Sequence, residues 1–217
     1  MTASLGIFGK HPGFGDFLAH GLSEPSRNGL DSWLGACLPP LRDRLGDGWE
    51  AFWDMAPVLR FWIGRALAGR TMAGVLRTSQ DRVGRRFPLL LLAEGASLPA
   101  PIQDPDQTFY RALEDQFSRM IVGEGARSLL EGFDPADLPG SESEDSRSEG
   151  PTVWAQRSDG NLSVLLTEAA PVDHARAATA RSYWWSESGR SGQALWLAQP
   201  GMPGADAMGW LLGGGDA

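Results

Sequence analysis

Leu89-Leu90-Leu91-Leu92-Ala93 is an unbroken apolar run. Successive residues of a strand point to opposite faces, so a strand that is apolar throughout belongs in a sheet covered on both sides. The run therefore predicts a strand at the sheet centre. Upstream, Val58–Ile63 and Thr71–Arg77 are rich in branched and aromatic residues and read as a hairpin across a loop at 64–70. Leu5–Phe8, ahead of a glycine-rich turn, reads as the first strand.

Leu30, Trp33, Leu34, Leu38 and Leu41 recur at helical spacing and predict a helix from about Asn28. Pro39 and Pro40 predict a kink or break in it, because an internal proline removes a donor and crowds the preceding turn. Trp49, Phe52 and Trp53 suggest a short second helix. In Asp104-Pro105-Asp106-Gln107 an N-cap, a proline at the first helical position and a glutamine three residues after the cap predict a helix start. Phe109, Leu113, Phe117, Met120 and Ile121 would be its buried stripe.

The stretch at about 134–150, with Ser141 to Ser148 almost all polar, predicts a mobile loop, because it has too little apolar surface to offset chain entropy. After it, Thr152–Gln156 and Leu162–Thr167 flank Asp159-Gly160, a tight-turn pair. Ser182–Ser186 and Ala194–Ala198 flank another turn, so the second half reads as a meander closed by a helix from about Pro203. At 217 residues, a single domain over 1–217 is expected.

The formal charge of −8 argues against a nucleic-acid binder, which needs a broad basic surface. No apolar run approaches the length of a membrane span, the N-terminus lacks a secretory signal pattern, and Cys37 has no cysteine to pair with. Together these lead us to expect a cytoplasmic protein.

Two segments carry unusual content. The first is Gly9-Lys10-His11-Pro12-Gly13-Phe14-Gly15-Asp16-Phe17, which holds the chain's one lysine. A phosphate-binding P-loop needs Ser or Thr after the lysine, where His11 stands. A dinucleotide fingerprint needs a third glycine where Leu18 stands. His11, His20 and His174 are scattered, so no metal or cofactor is expected. What remains is a turn shaped by Gly9, Pro12, Gly13 and Gly15. Asp16 would accept from its amides, and Lys10 with the backbone N–H groups would form a shelf for an anion. The second segment, Ser79 to Leu89, places Asp81, Arg82, Arg85 and Arg86 around Gly84 on a loop between two strands. Composition alone does not separate a binding loop from one buttressed by an Asp81–arginine pair.

These segments resemble the signature blocks of the TagF, or ImpM, proteins of the bacterial type VI secretion system. Gly9 to Phe17 is similar to the family's G-K-x-P-x-x-G-D-F and Leu45-Gly46-Asp47-Gly48-Trp49 to its L-G-x-x-W. Ala56 to Phe61, with Arg60, is similar to A-P-x-x-R-F, Ser79 to Leu89 to S-x-D-x-V-G-R-x-F-P-L, and Ser182 to Ser186, with Trp184 and Trp185, to S-x-W-W. Thr78 and Arg86 depart from the pattern, which has proline and an aromatic there. The resemblance covers Gly6 to about Leu212. It implies a three-layer α/β/α sandwich around a mixed, largely antiparallel sheet. It also implies a non-enzymatic regulator that represses secretion after translation by binding the forkhead-associated scaffold. The partner-binding candidates are then Lys10, Asp16, Arg60, Ser79, Asp81, Arg82, Arg85, Arg86, Trp184 and Trp185. The alternative is an enzyme of phosphoryl chemistry that uses the same cations.

Overall fold

In the computed structural model, which describes residues 3–142, 153–187, 189 and 192–215, the strands form one sheet. In chain order the elements are β1 (Ser4–Gly9), β2 (Leu18–His20), α1 (Glu24–Leu45), α2 (Trp49–Asp54), β3 (Leu59–Ile63), α3 (Arg65–Ala68) and β4 (Met72–Arg77). There follow β5 (Leu89–Glu94), α4 (Thr108–Arg119), α5 (Leu162–Ala178), β6 (Arg181–Ser186), β7 (Leu195–Pro200) and α6 (Ala205–Leu212). The strand order is β2-β1-β5-β4-β3-β6-β7, and every neighbouring pair is antiparallel.

The apolar run is β5. It is buried along its whole length between β1 and β4, and its side chains divide between two cores. Leu90 and Leu92 join Phe61, Trp184 and the α1 stripe on one face, whereas Leu89, Leu91 and Ala93 join Trp62, Val75 and Phe117 of α4 on the other. Two cores on opposite faces of one sheet make the three-layer sandwich.

Four local expectations need correction. First, α1 begins at Glu24 rather than near Asn28, because Ser23 caps it and Pro25 stands in the first turn. The cap is itself held by the sheet: the buried Glu94 carboxylate accepts from Ser23 N (2.7 Å), Ser23 Oγ (2.6 Å) and Ser26 Oγ (3.0 Å). Second, α1 runs through Pro39 and Pro40. Both face solvent, while Leu34, Cys37, Leu38 and Leu41 pack on the core, and that packing outweighs the roughly 3 kcal/mol cost of an interior proline. Third, α4 starts at Thr108. Asp104 accepts from Asp106 N (3.0 Å) and Asp106 from Thr108 N (3.1 Å), so two successive Asx turns delay the helix. Fourth, 162–178 is helix, not the strand of a meander. Asn161 caps it by accepting from Val164 N (3.2 Å), and only Ala178 in it is buried.

The polar loop at about 134–150 is also partly anchored. Pro135–Asp137 form a short 3-10 turn, Ser141 Oγ accepts from Ala3 N (2.7 Å), and buried Glu142 accepts from the Thr71 hydroxyl. Residues 143–150 of that prediction lie outside the described residues. Among the described residues, no helix is long and apolar enough to cross a membrane.

Candidate functional site at the loop edge of the sheet

Strands β1, β4 and β5 end together, since Gly9 pairs with Leu89 and Leu89 with Arg77. The turn after β1 and the loop from β4 to β5 therefore leave the sheet side by side. Gly9 is obligatory at this exit: its φ is +124° and a Cβ there would lie 1.9 Å from the Pro88 carbonyl oxygen.

Asp81, buried, is the centre that joins the two segments. Its Oδ1 accepts from Val83 N (3.1 Å) and Arg85 N (2.9 Å), and its Oδ2 meets Arg85 Nε (2.6 Å) and Lys10 Nζ (3.1 Å). The backbone adds Gly84 N to Asp81 O (3.0 Å) and Asp81 N to Arg85 O (3.1 Å), and Gly84 takes a φ of +85°. Arg85 Nη2 then donates to Gly15 O (2.9 Å), Arg82 N to Phe14 O (2.8 Å) and Lys10 N to Pro88 O (3.2 Å), so with the Lys10–Asp81 pair the loop is bonded to the turn at four places.

Burial disfavours ionisation of Asp81, but the bonds from Arg85, Lys10 and the loop amides outweigh it and hold the carboxyl well below the usual carboxylate range. A depressed folded-state pKa contributes stability that is present above the unfolded value and is lost as the pH falls below about 4. Wild type is therefore expected to lose more stability than Asp81→Asn between pH 5 and strongly acidic pH. Urea unfolding across that range checks it, and a pH-independent gap between the two proteins would refute the assignment.

Of the two roles weighed for this loop, the buttress is present in the structure, and it leaves other side chains of the loop in solvent. Asp81 is buried and Lys10 half-buried, whereas Arg82, Val83 and Gly84 are exposed and Arg85 keeps 63 % of its side chain in solvent while pairing with Asp81. Arg86 turns the other way, to Glu50 (2.9 Å) and Asp54 (3.2 Å) of α2. Ser79 contributes its carbonyl, which accepts from Trp53 Nε1 (2.9 Å). Asp16 is exposed and makes no hydrogen bond with a described residue, so the amide-accepting role anticipated for it falls to Asp81. Gly13 N instead donates to His11 Nδ1 (3.1 Å), Gly15 presents its carbonyl to Arg85, and Pro12 is exposed.

Three other candidates stand elsewhere. Arg60, 1 % exposed, lies on the α4 face, held by Glu114 (2.8 Å to both Nε and Nη2), Glu187 (2.7 Å) and Gln107 (2.8 Å). Trp184 and Trp185 point to opposite faces of β6, as side chains on one strand must, and both are buried in the cores. None of the three is available to a partner at the loop edge.

The sequence reading missed the far wall of the site. A groove of about 540 Å³ runs between Gly84–Phe87 and the α1–α2 side, where Leu38, Pro39, Arg42 and Trp49 face Lys10. The helical stripe gave no hint of it: Leu34 and Leu38 of the stripe line its floor, but Gly35, Pro39 and Arg42, which complete the wall, lie outside the stripe. Phe17, half-exposed, packs on Phe8 (4.8 Å between centroids) and Phe87 (5.3 Å), tying the motif's two ends together. Among the described residues, no group of three or more His, Cys, Asp or Glu could hold a metal.

The fold and this edge define a single-sheet α/β sandwich with two signature loops knotted around one buried aspartate. The model of the TagF N-terminal domain, type VI secretion system-associated, matches residues 6–129 and so takes in both loops. The chain belongs to the TagF family of type VI secretion system-associated proteins. It is also similar to the crystal structure of PA0076 from Pseudomonas aeruginosa PAO1. The two share 26 % identity with a TM-score of 0.71, over 97 % of this chain and 94 % of that one. No curated protein matches the chain.

Proposed function

We propose that this chain is a non-enzymatic accessory regulator of type VI secretion, a cytoplasmic repressor that acts after translation by binding the system's forkhead-associated scaffold. The observation that carries the reading is the loop edge itself. Arg82 and Val83 stand exposed on a loop whose conformation is fixed from below by Asp81, in a protein that is otherwise acidic. A fixed loop loses little entropy on binding, and a guanidinium with no carboxylate partner among the described residues is open to an acidic surface. The knot of bonds leaves Asp81 occupied on both oxygens, which suits a structural role and not that of a general base.

Arg82→Glu is the cleaner probe of this surface than Arg85→Glu, because Arg85 also buttresses the loop. The expected result is a loss of about 2 kcal/mol in affinity for the scaffold, as for a charged hot spot. Calorimetric titration of purified scaffold into wild type and the variant measures it. A folded variant with wild-type affinity would move the interface off this edge.

A further inference from the structure

On the opposite, α4 side of the sheet, a second pocket of about 380 Å³ has Arg60, Arg77, Glu114, Phe117, Ser118 and Glu187 in its wall. Two arginines and two glutamates stand there, but they are unevenly paired. Arg60 is shared by Glu114 and Glu187, and Arg111 also pairs with Glu187 (3.0 Å). Arg77 makes no ion pair with any described residue, so it is the one cation of the wall without a carboxylate partner. Arg77 is nonetheless half-buried at the end of β4, with its guanidinium 4.5 Å from the Phe117 ring centroid. Burial lowers its pKa from the usual arginine value. A guanidinium held over an aromatic face still has N–H groups to donate, and its fork suits a planar anion.

The geometry points to this pocket as a binding site for a single carboxylate, received on the edge of Arg77 with the Ser118 hydroxyl beside it. One carboxylate supplies the partner that Arg77 lacks. A phosphate dianion would be repelled more strongly by Glu114 and Glu187 in the same wall. The carboxylate is carried either by a free small acid or by an acidic side chain of a protein. Arg77 ends β4 at the loop edge, but the pocket and the groove beside Lys10 open on opposite faces of the sheet, the first on the α4 side and the second on the α1 side.

The test is titration of the folded chain with sodium acetate, with a blocked glutamate tripeptide and with inorganic phosphate. Ionic strength is held constant with chloride, and NMR follows the Phe117 ring and Arg77 Nε signals. Saturable binding of a carboxylate is expected. It should weaken by at least about tenfold in Arg77→Gln. Arg77→Lys keeps the charge without the fork and is expected to bind several-fold more weakly than wild type. A tripeptide that binds about tenfold tighter than acetate identifies a protein-borne carboxylate, and comparable affinities identify a free acid. The assignment is overturned if wild type shows no saturation with either carboxylate or prefers phosphate. It is equally overturned if Arg77→Lys binds as wild type does or a folded Arg77→Gln keeps its affinity. Should Arg77→Gln not fold, the wild-type titrations and Arg77→Lys decide.

Discussion

Trp184→Ala is expected to lower the unfolding free energy by about 3–5 kcal/mol, with a fall in melting temperature on the order of 10 °C. Trp184 is fully buried, stacks on Phe61 of β3 (5.1 Å) and meets Trp33 of α1 at the same distance, so it joins sheet and helix at one point. Its indole N–H donates to Ser182 Oγ (3.1 Å), which would lose that donor. No neighbour in such a layer can move far enough to fill a cavity the size of an indole. Trp196 on the adjacent β7 is 51 % exposed and provides the control: Trp196→Ala should cost about 1 kcal/mol or less. Equal losses in urea unfolding would mean that the face assignment of β6 is wrong.

The second large effect is expected at Arg60. Glu114→Ala should cost about 3 kcal/mol, because it strips the guanidinium's Nε and Nη2 of their acceptors while the side chain stays buried. Glu187→Ala removes a single contact to Arg60, which keeps its bidentate Glu114 partner, and should cost about 1 kcal/mol or less. The ordering is the test. Both single variants are compared by denaturant unfolding, and a Glu187 effect as large as that of Glu114 would refute the view that the bidentate pair carries the interaction. Adding Arg60→Met to Glu114→Ala should recover part of the loss, since an apolar side chain leaves no stranded charge.

Much of the sheet was legible because its strands carry signals that packing cannot easily override. An apolar run such as Leu89–Ala93 has no solvent face to offer, and the branched residues of 58–63 and 71–77 suit a covered pleat. The helices were less legible. In α1 the prolines signalled a break, but both stand on the solvent side of a stripe that the core holds in place. The α5 segment has no stripe to read: it buries only Ala178, carries Pro171 inside and follows an Asp-Gly pair, so the local turn signal dominated.

At the site, residue types were legible and their division of labour was not. Lys10 and Asp81 are joined by a 3.1 Å contact across a wide sequence separation, set by the register of β1 and β4 on β5. Nothing in the composition of either loop tells that Asp81 turns inward and Asp16 outward. Arg60 and the Trp-Trp pair entered as surface candidates through motif resemblance alone, and burial places them in the scaffold instead.

The inward turn of Asp81 has a consequence for how such proteins can diversify. Its four donors are two backbone amides, Lys10 and Arg85, so the side chains of Arg82 and Val83 carry no share of the fastening. Exchanges at positions 82 and 83 are therefore nearly free of folding cost, whereas exchanges at 10, 81 or 85 must be matched by one another. What this edge presents to solvent can therefore be rewritten at two codons while the clasp beneath it stays whole.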